Sequence, residues 1–443
     1  MNIALISLFV VISIIAIIIL TSSLKLHAFV ALFVVSVALA LAVLPVGSII
    51  KTIKEGFGAT MGSIGFLIIF GAMIGITLDK TGATISIANY ILSRTGVKRS
   101  AAAIGITGFI TGLPIFCDSG FIILSGLAKS FSIRSGTAIS FMVTVLATSL
   151  YAVHCLIPPH PGALAAAGII DANIGYLVMT GTLFAIPGAL AAYFWSRFFS
   201  RAGRPIPTGV PAGNENKSVP GLPPVFLSFL PIVVPLLLIT IKSLTAIGDK
   251  TGQSALSRIL AFPGEPVIAL FIGVLLSLLL VKKRNIESLN ALFSEAVVKA
   301  GPILIITAAG GMFGLVIKST GVGEAMGEIL SGSKAGILVP FLMAAIMKTA
   351  QGSSTVAIIT AASFVSPMLP GLGLDSELGR LFAMLAMGSG SMVVSHANDS
   401  YFWVVTNFGE ISVNDTLKVY TTSTLVMGIV VFLCVWLSSA FLL

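Results

Sequence analysis

Charged side chains are scarce in this sequence, and their scarcity excludes most classes of soluble protein. Asp, Glu, Lys and Arg together make up only 9% of the 443 residues. The polar stretches between the apolar runs are too short to fold as a separate soluble domain. A soluble enzyme or binding module is therefore disfavoured at the level of composition.

Cysteine is rare, and common catalytic signatures do not occur. Cys117, Cys155 and Cys434 lack CxxC or ligand-type spacing, so we expect no disulfide, no metal site and no cofactor. HExxH, GxSxG and Walker A patterns are missing, and the glycine cluster "GLGLDSELG" (371–379) has the wrong spacing for a nucleotide fingerprint. We therefore predict that the chain is not an enzyme.

Apolar residues dominate what remains. They make up 56% of the chain, and the mean hydropathy is +1.09. Runs of roughly 20 apolar residues, the length of a membrane-spanning helix, recur along the sequence. The first, "IALISLFVVISIIAIIIL" (3–20), is not followed by a small-residue cleavage site, so we interpret it as a retained helix. The pattern predicts an all-α polytopic membrane protein embedded in a lipid bilayer.

The basic residues carry topological information. With the N-terminus placed outside, most of the 25 Lys and Arg residues fall in short loops predicted to lie inside. This bias follows the positive-inside rule. We therefore read the net charge of +9 as a topology signal rather than as a site for nucleic acid.

One long polar segment divides the chain. The stretch "SRAGRPIPTGVPAGNENKSVPGLPP" (200–224) is rich in Pro and Gly and has few large apolar residues. Such composition is typical of a linker. We predict an N-terminal transmembrane half at 1–199, a cytoplasmic linker at 200–223 and a C-terminal transmembrane half at 224–443.

The two halves resemble each other in sequence. The segment "GAMIGITLDKTG" (71–82) aligns with "GGMFGLVIKSTG" (310–321), and Trp195 aligns with Trp436 at a similar offset. On the predicted path, the two aligned segments cross the membrane in opposite directions. This predicts two inverted repeats, an arrangement typical of secondary transporters. The alternative is a chance likeness between two glycine-rich helices.

Each half also contains an apolar segment that is interrupted in its middle. These segments lie at about 100–131 and about 336–370, and they include "GLPIFCDSG" and "KTAQGSSTV". Non-helical backbone at membrane depth is tolerated only where protein or a wet cavity surrounds it. We therefore predict two re-entrant helical hairpins whose tips meet. Free backbone N–H groups and hydroxyls at the later tip could bind an anion. The residues of this tip are Gly352, Ser353, Ser354 and Thr355.

Two charges lie well inside these apolar segments. Asp118, next to Ser119, is at the earlier tip, and Lys348 precedes the later one. A charge at such a depth is expensive and is commonly functional. Asp118 is a candidate for substrate binding and for proton coupling. Lys348 could bind a substrate carboxylate, pair with Asp118 or reach the interface.

Two histidines follow corresponding segments of the two halves. His154 and His396 each lie at a predicted helix end, where an imidazole could contact substrate or carry a proton. Either could instead be a structural histidine. His160 is expected to shape its proline-rich turn, while Asn398 and Asp399 add polar ligands near His396.

Three segments together resemble the gluconate permease (GntP) family. They are "VHCLIPPHPGALAAAG", "AQGSSTVAIITAA" and "GSGSMVVSHANDSYFWVV". The resemblance extends over nearly the whole chain. It implies a multi-pass transporter of the bacterial inner membrane, within a wider ion-transporter superfamily of elevator-type proteins that commonly dimerise. The residues on which it rests are His154, His160, Gln351, Ser353, Ser354, Thr355, His396 and Asn398.

The combined expectation is a secondary active transporter. Hydroxyl-rich tips and free helix N-termini favour a small hydroxy-carboxylate, such as a gluconate-like sugar acid or glycerate. The resemblance adds proton symport. D-serine or another small amino or hydroxy acid, with sodium as the coupling ion, remains an alternative. A membrane enzyme or a channel is disfavoured, and a homodimer is expected.

Overall fold

The computed structural model describes residues 3–95, 99–200, 221–248, 255–282, 285–321, 336–396 and 399–443. Within these ranges the chain is helical and contains no strand. The predicted all-α class is therefore confirmed. Most of the predicted linker, residues 201–220, lies outside the described residues.

The helices of the N-terminal half fall between residues 3 and 199. They are α1 (Ile3–Ile18), α2 (Ala28–Val43), α3 (Val46–Thr81), α4 (Ala83–Thr95), α5 (Ser100–Gly112), α6 (Cys117–Ser135), α7 (Ile139–Leu156), α8 (Pro161–Ile169) and α9 (Ile174–Phe199).

The helices of the C-terminal half begin at residue 225. They are α10 (Val225–Gly248), α11 (Ala255–Leu260), α12 (Pro266–Leu278), α13 (Ile286–Ser319), α14 (Leu338–Gln351), α15 (Ser354–Val365), α16 (Glu377–Met392), α17 (Ser400–Gly409) and α18 (Val413–Leu442). Residues Thr416–Thr421 of α18 are π-helical.

Several helices are long and apolar enough to cross a membrane. By length and composition there are five among the described residues, or six when the bent α3 is counted as one span. Large apolar side chains are exposed along α9, α10 and α18, as expected for lipid contact. Two apolar helices, α2 with 16 residues and α12 with 13, are shorter than the roughly 20 residues expected of a spanning helix.

The interrupted segments fold as pairs of helices. The earlier pair is α5 and α6, which break at residues 113–116 and end at Ser135, four residues beyond the predicted end. The later pair is α14 and α15, which break at Gly352 and Ser353. Gly352 has a φ of 85°, a left-handed conformation that glycine adopts without strain. The break therefore coincides with the residue best able to make it.

The longest helices of the two halves pack along each other. At Gly56 of α3, a Cβ atom would lie 2.7 Å from the Met312 Cα of α13. Only glycine allows the two backbones to approach so closely. This contact joins the two halves beside the helix pairs.

The order of elements after α3 recurs after α13. Leaving aside α4, and residues 322–335, which lie outside the described residues, each half has a long helix, then a two-helix pair, a buried helix, a short helix and a long apolar helix. The recurring sets are α3, α5–α6, α7, α8 and α9, and then α13, α14–α15, α16, α17 and α18.

Candidate functional site

A cavity of about 230 Å³ lies where the two helix pairs are interrupted. It is the place where three helices begin, namely α6, α15 and α17. Its lining residues are Phe116, Cys117, Asp118, Tyr151, His154, Ile303, Ile306, Ser353, Ser354, Thr355, Val356, Ile359, Asp399, Ser400 and Tyr401. The predicted tips of the two hairpins therefore meet at one cavity.

The earlier tip contributes a carboxylic acid. Asp118 lies in the first turn of α6, and its Oδ1 atom is buried without a hydrogen-bond partner among the described residues. A buried, unpaired carboxyl oxygen is costly, and a ligand or a proton would satisfy it. Ser119 follows Asp118 but does not line the cavity.

The later tip contributes hydroxyls and a helix N-terminus. Ser353 is the N-cap of α15, and its Oγ accepts a hydrogen bond from the Val356 N–H at 3.3 Å. Ser354 and Thr355 follow in the first turn and also line the cavity. The sequence "GSST" therefore starts a helix with three consecutive hydroxyl-bearing residues that line the cavity.

Lys348 lies behind the cavity wall, where it binds the lining residue Asp399. Its side chain is fully buried, and its Nζ lies 2.5 Å from Asp399 Oδ2. The same ammonium donates to the Gly352 carbonyl and lies 5.6 Å from the centre of the Tyr151 ring. The hypothesis of an ion pair with Asp118 is wrong. Lys348 does not line the cavity, and its ammonium is held in the protein interior by Asp399.

Asp399 is a site residue whose main role sequence reasoning missed. It is the N-cap of α17, where its Oδ1 accepts from the Tyr401 N–H at 3.0 Å. Its Oδ2 accepts from Ser395 Oγ at 2.5 Å as well as from Lys348. One carboxylate thereby joins the start of α17 to the end of α14. The dipeptide "DS" before an apolar run is an N-cap signal that could have revealed it.

A chain of hydrogen bonds connects the two hairpins through two histidines. His160 Nε2 lies 2.6 Å from the Gly112 carbonyl oxygen, His160 Nδ1 lies 3.2 Å from His154 Nδ1, and His154 Nε2 lies 3.3 Å from Thr355 Oγ1. Because a carbonyl only accepts, His160 Nε2 carries a hydrogen. When both rings are neutral, His154 Nδ1 donates to His160 and Thr355 donates to His154 Nε2. Thr355 then presents only acceptor lone pairs to the cavity.

The remaining predicted residues lie elsewhere. His396 Nε2 is 3.3 Å from the Thr349 carbonyl oxygen and does not line the cavity. His154 and His396 are therefore not brought together. Gln351 also lies outside the lining, and both of its side-chain polar atoms are buried without a partner in the described part of the chain. Asn398 lies outside the described residues.

The arrangement favours an anion. The first backbone N–H groups of α6, α15 and α17 have no acceptor within their helices, although Ser353 binds the Val356 N–H and Asp399 binds the Tyr401 N–H. Each helix places its positive end toward the cavity. Tyr151 and Tyr401, which the sequence did not indicate, also line the cavity, but their hydroxyls donate to the backbone carbonyls of Ser391 and Ala147. In the described residues, no group of three His, Cys, Asp or Glu side chains could hold a metal ion.

Comparison with known proteins gives a consistent identification. A model of the GntP family permeases matches residues 5–441. The chain is 32% identical to the inner membrane permease YgbN of Escherichia coli K12, covering 93% of each chain. It is 30% identical to a gluconate permease of Pseudomonas aeruginosa, covering 95% of this chain and 94% of that one.

A solved structure has a related fold. The crystal structure of the YdaH transporter of Alcanivorax borkumensis superposes with a TM-score of 0.59 over 90% of each chain, at 14% identity. At such low identity the match concerns the fold alone. Together with the family match and the apolar helices, these findings confirm the predicted family and the prediction that the protein is not an enzyme: the chain belongs to the GntP permease family of membrane transporters.

Proposed function

We propose that the protein is a secondary active transporter that imports a small hydroxy-carboxylate, either a gluconate-like sugar acid or glycerate, by proton symport. The observation that carries the proposal is the convergence of three helix N-termini on one cavity of about 230 Å³. Helix N-termini are ready-made anion sites. The relative named gluconate permease supports the same substrate class.

The cavity divides into two kinds of surface. Backbone N–H groups and hydroxyls at the start of α15 suit the substrate carboxylate, since they act as donors without bringing a counter-charge. Thr355, in the neutral histidine network, offers acceptor lone pairs that suit a substrate hydroxyl. A carboxylate with neighbouring hydroxyls matches both surfaces.

Proton coupling is assigned to Asp118. An ionised Asp118 would repel an anion in the same cavity, whereas a protonated Asp118 removes that repulsion and can donate a hydrogen bond. The substrate and one proton would therefore bind together. This coupling requires no ion pair with Lys348, which is already bound to Asp399.

The histidine pair is the alternative carrier of the coupled proton. Whichever ring takes up one added proton, His154 Nε2 then carries a hydrogen and donates to Thr355, which frees the Thr355 hydrogen for the cavity. Lys348, Asp118 and Asp399 are the charged groups around this pair. Protonation of the histidine pair would thus change the Thr355 hydroxyl from an acceptor into a donor toward the cavity.

One observation favours the alternative substrate. The unpaired Oδ1 of Asp118, if ionised, is a suitable partner for an ammonium group, as in D-serine. A zwitterion would place its amine at α6 and its carboxylate at α15. Sodium in place of the proton is the matching alternative for the coupling ion.

Uptake by proteoliposomes tests the proposal. Labelled gluconate, glycerate and D-serine are offered under an imposed proton or sodium gradient, and we expect proton-driven accumulation of a hydroxy-carboxylate. Ser354→Leu should abolish uptake, because it removes a hydroxyl and fills the cavity. Thr349→Leu is the matched control, since Thr349 is exposed, does not line the cavity, and donates its hydroxyl to Ala345 O within α14 at 2.8 Å. Accumulation of D-serine alone, or driven by sodium, would contradict the proposal.

We further propose that the two halves are inverted repeats in a multi-pass protein of the inner membrane, operating by an elevator mechanism. The recurring order of helices and the aligned segments at the ends of α3 and α13 support the repeat. The relative named inner membrane permease supports the location.

Opposite orientation of the repeats can be tested by thiol labelling. Lys80 and Lys318 end corresponding helices, and both side chains are exposed. In a background without native cysteines, Lys80→Cys and Lys318→Cys should react with an impermeant thiol reagent from opposite sides of the membrane. Reaction of both from the same side would refute the inverted arrangement.

A further inference from the structure

A second cavity, of about 270 Å³, lies apart from the substrate cavity. It is formed between the starts of α5 and α7 and the end of α9. The adjacent loops are rich in basic residues and are predicted to lie on the cytoplasmic side. Nothing in the proposed transport cycle uses this cavity.

The charged groups of this cavity are both cationic. Arg99 and Arg197 line it, and no acidic side chain of the described residues does. Within the same part of the chain, neither guanidinium makes an ion pair or hydrogen bond. Two unpaired guanidinium groups facing one cavity attract an anion, and guanidinium groups bind phosphate oxygens in a bidentate manner.

A buried hydroxyl in this cavity also lacks a partner. Ser200 is only 4% exposed, and its Oγ makes no hydrogen bond in the described structure. Its side chain lines the cavity beside Arg197. A buried polar group is normally satisfied, so this hydroxyl indicates a missing hydrogen-bonding ligand.

Two helix N-termini point to the same ligand. The N-caps of α5 and α7 are Arg99 and Ala138, and neither provides a side-chain hydrogen bond to its helix. The first backbone N–H groups of both helices are therefore available next to the cavity. Free N–H groups at a helix start bind phosphate.

An apolar surface leads from this cavity along α9. Leu183, Leu190 and Phe194 are 63%, 51% and 61% exposed, and their spacing places them on one face of the helix with Arg197 at its end. In a membrane this face is in contact with acyl chains. A ligand with an anionic head and an apolar tail matches the cavity and the stripe together.

We propose that this cavity binds the phosphate of an anionic phospholipid from the cytoplasmic leaflet, with one acyl chain lying along α9. The two arginines and the two helix starts hold the phosphate, and Ser200 donates a hydrogen bond to it. The site is independent of the transported substrate, so its test does not depend on the proposed function.

Lipid binding to the purified full-length protein tests this proposal. In detergent, native mass spectrometry and thermal unfolding compare phosphatidylglycerol with phosphatidylcholine. Phosphatidylglycerol should bind more tightly and raise the melting temperature more. Arg99→Gln and Arg197→Gln should each weaken its binding about tenfold, the loss of one charge-assisted contact. Arg99→Lys with Arg197→Lys should retain part of the preference.

A control variant and a comparison with inorganic phosphate show whether the effect is specific to the cavity and to a lipid. Arg94→Gln removes an exposed arginine that stacks on Tyr90, 5.4 Å from the ring centre, and should bind phosphatidylglycerol like the wild type. Equal binding of the two lipids by the wild type would overturn the proposal. An unchanged preference for phosphatidylglycerol in the variant that combines Arg99→Gln with Arg197→Gln would also overturn it. If millimolar inorganic phosphate reproduced the whole effect of the lipid, the ligand would be a soluble anion, which would likewise overturn the proposal.

Discussion

Asp118→Asn protein should exchange gluconate across a membrane about as fast as the wild type, yet fail to concentrate it when a proton gradient is imposed. Asp118 lines the substrate cavity, and its Oδ1 has no hydrogen-bond partner among the described residues. A neutral amide imitates the protonated acid, so substrate binding is retained. Because the amide cannot release a proton, the gradient no longer drives accumulation, and the concentration ratio should fall to one.

The measurement is paired counterflow and uptake of labelled gluconate in proteoliposomes. Asp171→Asn is the matched control, since the Asp171 side chain is 92% exposed and pairs with Arg380 at 2.8 Å, away from the cavity. It should accumulate substrate normally. If Asp118→Asn also accumulates gluconate, then Asp118 is structural, and His154 becomes the candidate for the coupling residue.

Lys348→Met should destabilise the protein by about 3–5 kcal/mol, the usual effect of removing one member of a buried ion pair. The partner Asp399 is only 4% exposed and would remain as an uncompensated charge at the start of α17. Lys348 also holds the Gly352 carbonyl at the break before α15. The variant should therefore loosen two of the three helix starts that form the cavity.

The double variant Lys348→Met with Asp399→Asn distinguishes the effect of an uncompensated Asp399 charge from that of a packing defect. It removes both charges of this buried pair, so most of the lost stability should return, as measured by the denaturation midpoint in detergent. The matched control is Lys129→Met, because the pair of Lys129 and Glu410 has side chains that are 24% and 71% exposed. Loss of this exposed ion pair should lower the free energy of unfolding by about 0–1 kcal/mol. A double variant as unstable as Lys348→Met would contradict the assignment.

The hairpin tips were predictable because their signals are local. Gly352 and the hydroxyls after it interrupt an apolar run, and the structure breaks the helix at that glycine. The same reasoning located Asp118 in the earlier tip. Helix breaks and N-caps depend on a few consecutive residues, which a sequence displays directly.

Partners that are distant in sequence were not predictable in the same way. Lys348 pairs with Asp399, 51 residues away on another helix, rather than with Asp118. The contact of His154 with Thr355 spans 201 residues. Such contacts are set by how helices pack, and neither composition nor periodicity specifies that packing. Tyr151 and Tyr401 were missed for the same reason, since aromatic residues on an apolar helix indicate only burial.

The pH dependence of gluconate binding tests the central claim, that one proton on Asp118 accompanies the anion in the cavity. Binding to the purified protein is measured by calorimetry over a pH range in which gluconate stays ionised. Once the pH is high enough to ionise Asp118, the wild-type dissociation constant should rise about tenfold for each further pH unit, since the anion binds only the protonated form. Asp118→Asn should bind with an affinity that does not change over the same range. A wild-type affinity independent of pH, or an equal pH dependence in Asp118→Asn, would contradict the account.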